Sequence, residues 1–237
     1  MLKRALVALA AIAGIAVTAS LGFWQWGRGQ ERTAMQEAIE ARERSAPVPV
    51  QELVAGADAG ALLHRPVVLR GEWIADRTVF LDNRQMNAVP GFYVVTPLRV
   101  EGTQAVVLVQ RGWVQRDFEQ RARLPAVQTP AGTVEVRGRL APPPAKLYAF
   151  ATEEKGPIRQ NLDLAAFRAE TGLPLLPVSV QQVGAPSEGL LRQWPAVGSG
   201  AGKNFGYAFQ WWAMAALIAI LYVWFQLVVP RRPARRP

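Results

Sequence analysis

Two long apolar stretches bracket the chain, and between them the hydrophobic pattern changes period. The first runs from Ala5 to Trp26 (ALVALAAIAGIAVTASLGFWQW) and the second from Phe205 to Val229 (FGYAFQWWAMAALIAILYVWFQLVV); neither contains a charge. About 20 residues rising about 1.5 Å each cross a hydrocarbon core of roughly 30 Å, so both predict membrane-spanning helices. The second is long enough to need tilt or an overhang. Trp24 and Trp26 close the first run, while Tyr207, Trp211 and Trp212 open the second. Their amphipathic rings therefore fall at one and the same membrane face. A cleaved signal peptide, cut after Val17-Thr18-Ala19, is the alternative reading of the first run. Against it stand the length of the apolar stretch and its unbroken continuation into a polar, helix-like segment, Arg28 to Arg44.

Small residues recur along both runs. Ala10, Gly14, Thr18 and Gly22 return every four residues in the first, and Ala208, Ala215 and Ala219 share a face in the second. Such stripes let helices approach closely in lipid. They would pack the two spans together or receive a partner's helices, unless they are chance spacing in Ala-rich helices. Gln25, Gln210 and Gln226 are polar groups within or near the spans.

Between the spans, Ser45-Ala46-Pro47-Val48-Pro49 ends the helical extension, because proline lacks a donor and restricts its predecessor. Residues 50–64 predict a short helix and loop. The period then shortens to that of strands. Val67–Trp73, Thr78–Asp82, Phe92–Val100, Ala105–Trp113, Thr133–Leu140 and Pro177–Val183 are β-branched or aromatic runs separated by Gly, Pro, Asn and Asp. Glu101-Gly102 predicts a hairpin turn. Asp163 to Thr171 predicts a helix capped by Asp163 and ended by Gly172. Pro142-Pro143-Pro144 and residues 184–202 predict loops. The fold class expected is a membrane protein with two transmembrane helices flanking one β-rich (α+β) extracytoplasmic domain, a barrel or sandwich. The divisions are 5–26 and 205–229 for the spans, 27–49 for the helical extension and linker, 50–203 for the domain, and 230–237 for a basic tail.

Charge adds the orientation. Of the net +9, six positive charges sit in two tails: Lys3 and Arg4 before the first span, and Arg231, Arg232, Arg235 and Arg236 after the second. Basic residues beside spans mark the cytoplasmic side, so both termini are expected there and the middle on the other side. A nucleic-acid surface would need its bases clustered on one face, and this distribution excludes one. With no cysteine and one histidine, His64, a disulfide framework, a thiolate or iron–sulfur site and any site needing two histidines from this chain are excluded.

No catalytic constellation stands out: there is no G-x-S-x-G elbow, no H-E-x-x-H and no phosphate loop. His64 opens a strand and reads as a surface or interface residue. Two segments are unusual. In Leu81-Asp82-Asn83-Arg84, polar residues follow a strand directly. In Val109-Gln110-Arg111-Gly112-Trp113-Val114, a glycine interrupts a strand beside Arg and Trp, which marks a bulge or a close backbone approach. One reading makes Trp113 a core residue beside a conformational bulge. The other has Arg84 and Arg111 presenting cations to an anionic partner group at the domain surface. Gln160-Asn161 is a polar edge or, preferably, a helix-entry loop.

Taken together, LGFWQWGR at 21–28, GEW at 71–73, LDNR at 81–84, GFYVVTPL at 91–98, VQRGWV at 109–114, RGRL at 137–140 and YAFQWWAMAA at 207–216 resemble, in this order and spacing, the Surfeit locus protein 1 family of cytochrome c oxidase assembly factors. The resemblance covers nearly the whole length. It implies a non-enzymatic inner-membrane protein with a periplasmic domain in a bacterial member. The implied role is to assist heme a insertion or retention in oxidase subunit I. It implies as partners subunit I or its assembly intermediate, with heme a synthase a further candidate, and the bilayer. Arg84, Arg111, Trp113, Tyr207 and Trp211 become candidate heme or partner contacts, the arginines for propionates and the aromatics for the ring face. In one respect the chain departs from the family. Members commonly carry a histidine, considered as a heme ligand, three residues before the Tyr-Ala of the second span; here Asn204 stands there. An amide is a poor iron ligand, so the resemblance carries no axial ligand to this position. A scaffold that binds an oxidase intermediate without handling heme is the alternative.

Overall fold

The computed structural model describes residues 2–56, 58–120, 123–144, 156–195 and 200–229. The chain divides into two compact units, Met1–Ala38 with Ala196–Pro237, and Ile39–Pro195. The predicted basic tail, 230–237, lies outside the described residues.

The first unit is a helical hairpin. Helix α1 runs unbroken through Leu2–Glu43 and ends where the Ser45 hydroxyl turns back onto the Arg42 carbonyl, just ahead of Pro47 and Pro49. The second long helix, α5 in chain order, spans Ala201–Val223 and continues as one π-turn, Trp224–Val228. It begins four residues before the apolar run does, so 201–203 belong to the helix and not to the domain. Both helices are long and apolar enough to cross a membrane.

The small residues of the two runs pack against each other. A Cβ on Gly22 would lie 2.3 Å from Trp212 Nε1, one on Gly29 would lie 2.6 Å from the Phe205 ring, and Gly14 meets Ile218 Cδ1 at 3.4 Å. Ala208 and Ala215 are buried in the same seam. Thr18, also buried there, satisfies its hydroxyl on the Gly14 carbonyl at 2.7 Å. The stripe thus serves the chain's own second helix, and Ala10 lies outside the seam, exposed.

The second unit is a β-barrel. Its strands are β1 (Pro66–Trp73), β2 (Val79–Met86), β3 (Val89–Val100), β4 (Val106–Gln115), β5 (Thr133–Ala141), β6 (Ile158–Arg159) and β7 (Leu175–Gln182). The sheet order is β1-β5-β7-β4-β3-β2-β6, and β1 also pairs with β3. That last pairing closes β1, β5, β7, β4 and β3 into a ring. Closure removes sheet edges, and it decides for a barrel over a sandwich. At the seam Gly71 stands opposite Val100, and a Cβ there would lie 2.1 Å from the Arg99 carbonyl oxygen. The glycine of the GEW motif is therefore what lets two strands cross.

Two apolar layers share β4, whose residues Val106 to Trp113 are all buried. One face joins Val67, Leu69, Leu98, Val107, Val109, Val136, Leu140 and Val180 inside the barrel, together with Val48, Leu53 and Leu62 from the entry segment. That segment holds the short helices α2 (Val50–Val54) and α3 (Ala59–Leu62). The other face packs Val106 and Leu108 with Val95, Leu162, Leu175 and Phe167 of α4 (Leu164–Thr171). As expected, Asp163 caps α4 by accepting from the Ala165 and Ala166 amides, and Gly172 ends it in the left-handed region. Strand β6, only two residues long, has no readable period. Arg159 fastens it to α4 by a bidentate pair with Glu170 at 2.8 and 2.6 Å, above the Phe167 ring.

The last turn of α1 is tied to the barrel by an ion pair between Glu43 and Arg139 of β5, and Arg139 also bonds Gln181. His64 sits beside this pair with φ 69°. Burial lowers its pKa first, Arg139 and then Arg42 lower it further, and Glu43 opposes them. A base with a depressed folded-state pKa contributes stability that is fully present above its ordinary value of 6.5 and is lost as pH falls through the folded value. The full chain in detergent is therefore expected to melt at lower temperature as pH drops below 6.5, and His64→Gln to flatten that dependence over the same range.

The β2–β3 turn puts Asn87 at φ 52° and Ala88 at φ 63°. Asparagine tolerates this region; alanine does not, at a cost of about 1–2 kcal/mol. Ala88→Gly is expected to raise stability by about 1 kcal/mol in denaturant titration.

Candidate functional site

The VQRGWV motif is a strand bent by one extra residue. In the β3–β4 ladder Val94 faces Gly112 and Val95 faces Gln110, so Arg111 has no opposite number. A bulge of this kind re-aims a side chain, and here it turns the arginine inward: Arg111 is 0% exposed. Its Nη1 donates to Thr129 Oγ1 at 2.8 Å, and its Nη2 to the Gln128 carbonyl at 2.6 Å and to Glu188 Oε2 at 2.9 Å. The Trp73 ring lies under the guanidinium, 4.7 Å to the centroid.

Glu188 receives a second arginine. Arg192 Nη2 approaches its Oε2 at 3.4 Å, while Arg192 Nε donates to the Arg111 carbonyl at 2.9 Å. Burial lowers the Arg192 pKa and Glu188 opposes the shift. The carboxylate that neutralises both sits at φ 59°, a backbone conformation that costs about 1–3 kcal/mol outside glycine and persists where its surroundings enforce it. The segment carrying it lies flat on β4. Trp113 and Leu191 exchange backbone hydrogen bonds at 2.7 and 2.8 Å, and a Cβ on Gly112 would stand 2.7 Å from the Leu191 carbonyl. The motif thus decodes as a buried cation, a close-approach glycine and an anchoring indole.

LDNR is a second bulge. The β2–β3 register shifts between Leu81 and Arg84, with Asn83 at φ 58°. Leu81 is core, and Asp82 accepts from Arg116 Nη1 at 3.2 Å. Arg84, 7% exposed, donates from Nη2 to the Gln160 carbonyl at 3.0 Å and lies 5.8 Å from the Tyr93 ring centroid. Burial lowers the Arg84 pKa, with Tyr93 opposing, and raises that of Tyr93, with Arg84 opposing. Gln160 indeed lies in a loop that leads to α4. Trp113 Nε1 donates to the Arg84 carbonyl at 2.9 Å, so the two motifs meet. Trp194 packs edge-on against Tyr93 at 5.0 Å and donates to the Gln182 carbonyl at 2.8 Å.

Of the two readings of these segments, the structure matches the bulge with Trp113 in the core: both guanidiniums are buried and bonded to internal acceptors, and neither presents its charge at the domain surface. Tyr207 and Trp211 belong to the helical unit, where Tyr207 is 53% exposed and Trp211 half-buried. Glu188, Arg192 and Trp194 have no signature in the pattern, because they lie in a segment with no strand or helix period. Their signal is the pair Leu190-Leu191 between charged neighbours, too apolar for a solvated loop.

In the helical unit Asn204 Nδ2 donates to Gln25 Oε1 at 2.7 Å, joining α5 to α1. Trp26 contacts Phe205 at 4.8 Å and Trp212 at 5.7 Å, and Phe23 contacts Trp212 at 5.3 Å. Among the clefts that the described residues form on the barrel unit are two of about 500 and 410 Å³, and neither is lined by Arg84, Arg111 or Trp113. Among the described residues no group of three or more His, Asp or Glu side chains is placed to hold a metal ion.

What the fold and this network define is a closed-barrel module, locked by buried arginines and inserted between two long apolar helices. The SURF1 family model matches residues 12–216, from within α1 through the barrel into α5, and the chain belongs to that family. It is 26% identical over 241 residues to a SURF1-like protein of Drosophila melanogaster, covering 92% of this chain and 76% of the fly protein. A SURF1-like protein of Rickettsia felis is 24% identical over 226 residues, covering 86% and 89% respectively. The cytochrome oxidase assembly protein SHY1 of Saccharomyces cerevisiae is 27% identical over 97 residues, 41% of this chain and only 25% of the yeast protein's length.

Removing the carboxylate's charge would leave two guanidiniums, one of them fully buried, with no anion between them. Glu188→Gln is expected to destabilise the full chain by about 3 kcal/mol, whereas Tyr207→Ala, on an exposed ring, should change stability by less than about 0.5 kcal/mol. Thermal and denaturant unfolding of both variants checks this.

Proposed function

We propose that this chain is a bacterial inner-membrane assembly factor for an aa3-type cytochrome oxidase. Its two helices cross the bilayer, both termini are cytoplasmic, and the barrel stands in the periplasm. There it holds subunit I or its assembly intermediate so that heme a is inserted or retained, and it carries out no reaction of its own. The observation that carries the reading is the family match, which takes in both apolar helices and the barrel together. The basic tails, the aromatic rings at one end of both spans and the yeast relative, a cytochrome oxidase assembly protein, support it.

A heme held by this chain alone would need an iron ligand and cations for its propionates. The positions that the family resemblance offers for these roles do not fit that demand. Asn204 is an amide already bonded to Gln25, and Arg84 and Arg111 are sealed in the barrel. These observations favour the scaffold form of the function, in which the chain grips the protein intermediate and subunit I supplies the ligands of its heme.

Deleting the gene is expected to lower heme a occupancy and oxidase yield while other respiratory complexes stay normal. Chain purified from a heme a-producing host should bring subunit I with it. When separated from that subunit it should show no stoichiometric heme a absorbance. A normal oxidase spectrum in the deletion strain would overturn the assembly role. A stoichiometric heme a band on the isolated chain would overturn the scaffold form alone.

A further inference from the structure

The polar end of the helical hairpin carries more positive charge than its position calls for. Arg28 and Arg32 stand one turn apart on α1, and Lys203 lies in the first turn of α5, which has no acidic residue. Arg32 reaches across to α5: its Nη1 lies 2.8 Å from where a Cβ on Gly200 would stand. The Gln25–Asn204 hydrogen bond joins the adjoining turns, so the three cations share one end of one unit. Among their neighbours Glu31 pairs with Arg28 at 3.3 Å, both side chains in water. Arg32 and Lys203 have no carboxylate partner among the described residues.

Beside these cations are the rings that mark the membrane face: Trp24 and Tyr207, both more than half exposed, and Trp26 against Phe205. On the topology proposed above, this is the outer face, where lysine and arginine are disfavoured near span ends. Cations held there beside interfacial rings call for an anion at that depth, and a headgroup phosphate is the anion a bilayer provides. We propose that Arg28, Arg32 and Lys203 form a clasp for the phosphate of an anionic phospholipid in the outer leaflet. The clasp rests on the membrane-spanning reading.

The test places the full chain in phosphatidylcholine nanodiscs doped with brominated phosphatidylglycerol or, at equal mole fraction, brominated phosphatidylcholine, and reads tryptophan quenching. The clasp predicts stronger quenching by the phosphatidylglycerol. Apparent affinity should fall roughly fivefold per cation removed, and the preference should vanish in the triple variant R28Q/R32Q/K203Q. Should the triple variant fail to insert, Lys203→Gln alone, at an exposed position, must lower the preference. Equal quenching by the two lipids, or a preference unchanged in the variants, overturns the clasp. So does a preference for the phosphatidylglycerol that the triple variant keeps while losing retention of soluble glycerol phosphate, which would assign the cations to a free anion. Alkaline carbonate extraction separates the two levels. A chain retained in the membrane with equal quenching overturns the clasp alone, while a chain released by carbonate overturns the spanning reading beneath it.

Discussion

Arg111 and Glu188 meet with the guanidinium wholly out of water. The guanidinium is not tolerable there without the carboxylate, because an unpaired buried charge costs several kcal/mol. The pair therefore dictates where the segment 184–195 must run. Once Glu188 is held, Arg192 falls into place on the same carboxylate, Leu191 pairs with Trp113, and Trp194 closes over Tyr93. A stretch with no regular structure is fixed to the barrel as firmly as a strand. The left-handed backbone at Glu188 shows the load on that fastening.

Much of the barrel could be read from the chain. The strands β1, β3, β4, β5 and β7 are legible as β-branched runs between turn residues, β2 as far as Asp82, and α4 by its cap and terminal glycine. Their registers are not, because pairing partners are set by closure of a ring and not by local pattern. The pairing of β1 with β3, which makes the domain a barrel and not a sandwich, has no local pattern in the sequence. Nor is the burial of Arg84 and Arg111 legible there: strand alternation gives a side, and a bulge reverses it. Glu188, 77 positions from Arg111, left no local trace.

The helical unit shows the opposite balance. Its seam was written in the small residues at four-residue spacing, and Gly14, Thr18 and Gly22 lie along it. What the spacing left open was the occupant, since a stripe of small residues suits a partner's helix as well as the chain's own. The large rings Trp212 and Phe205 decided the matter by filling the notches at Gly22 and Gly29.

Those notches are also a keyway. A slip of α5 by one turn along α1 would carry the Trp212 ring from Gly22 onto Thr18 or Trp26, neither of which has room for an indole. The hairpin has one permitted setting and no neighbouring one to click into. It behaves as a fixed mast and not as a sliding piston, so any signal across it would have to travel by tilting the pair as a whole.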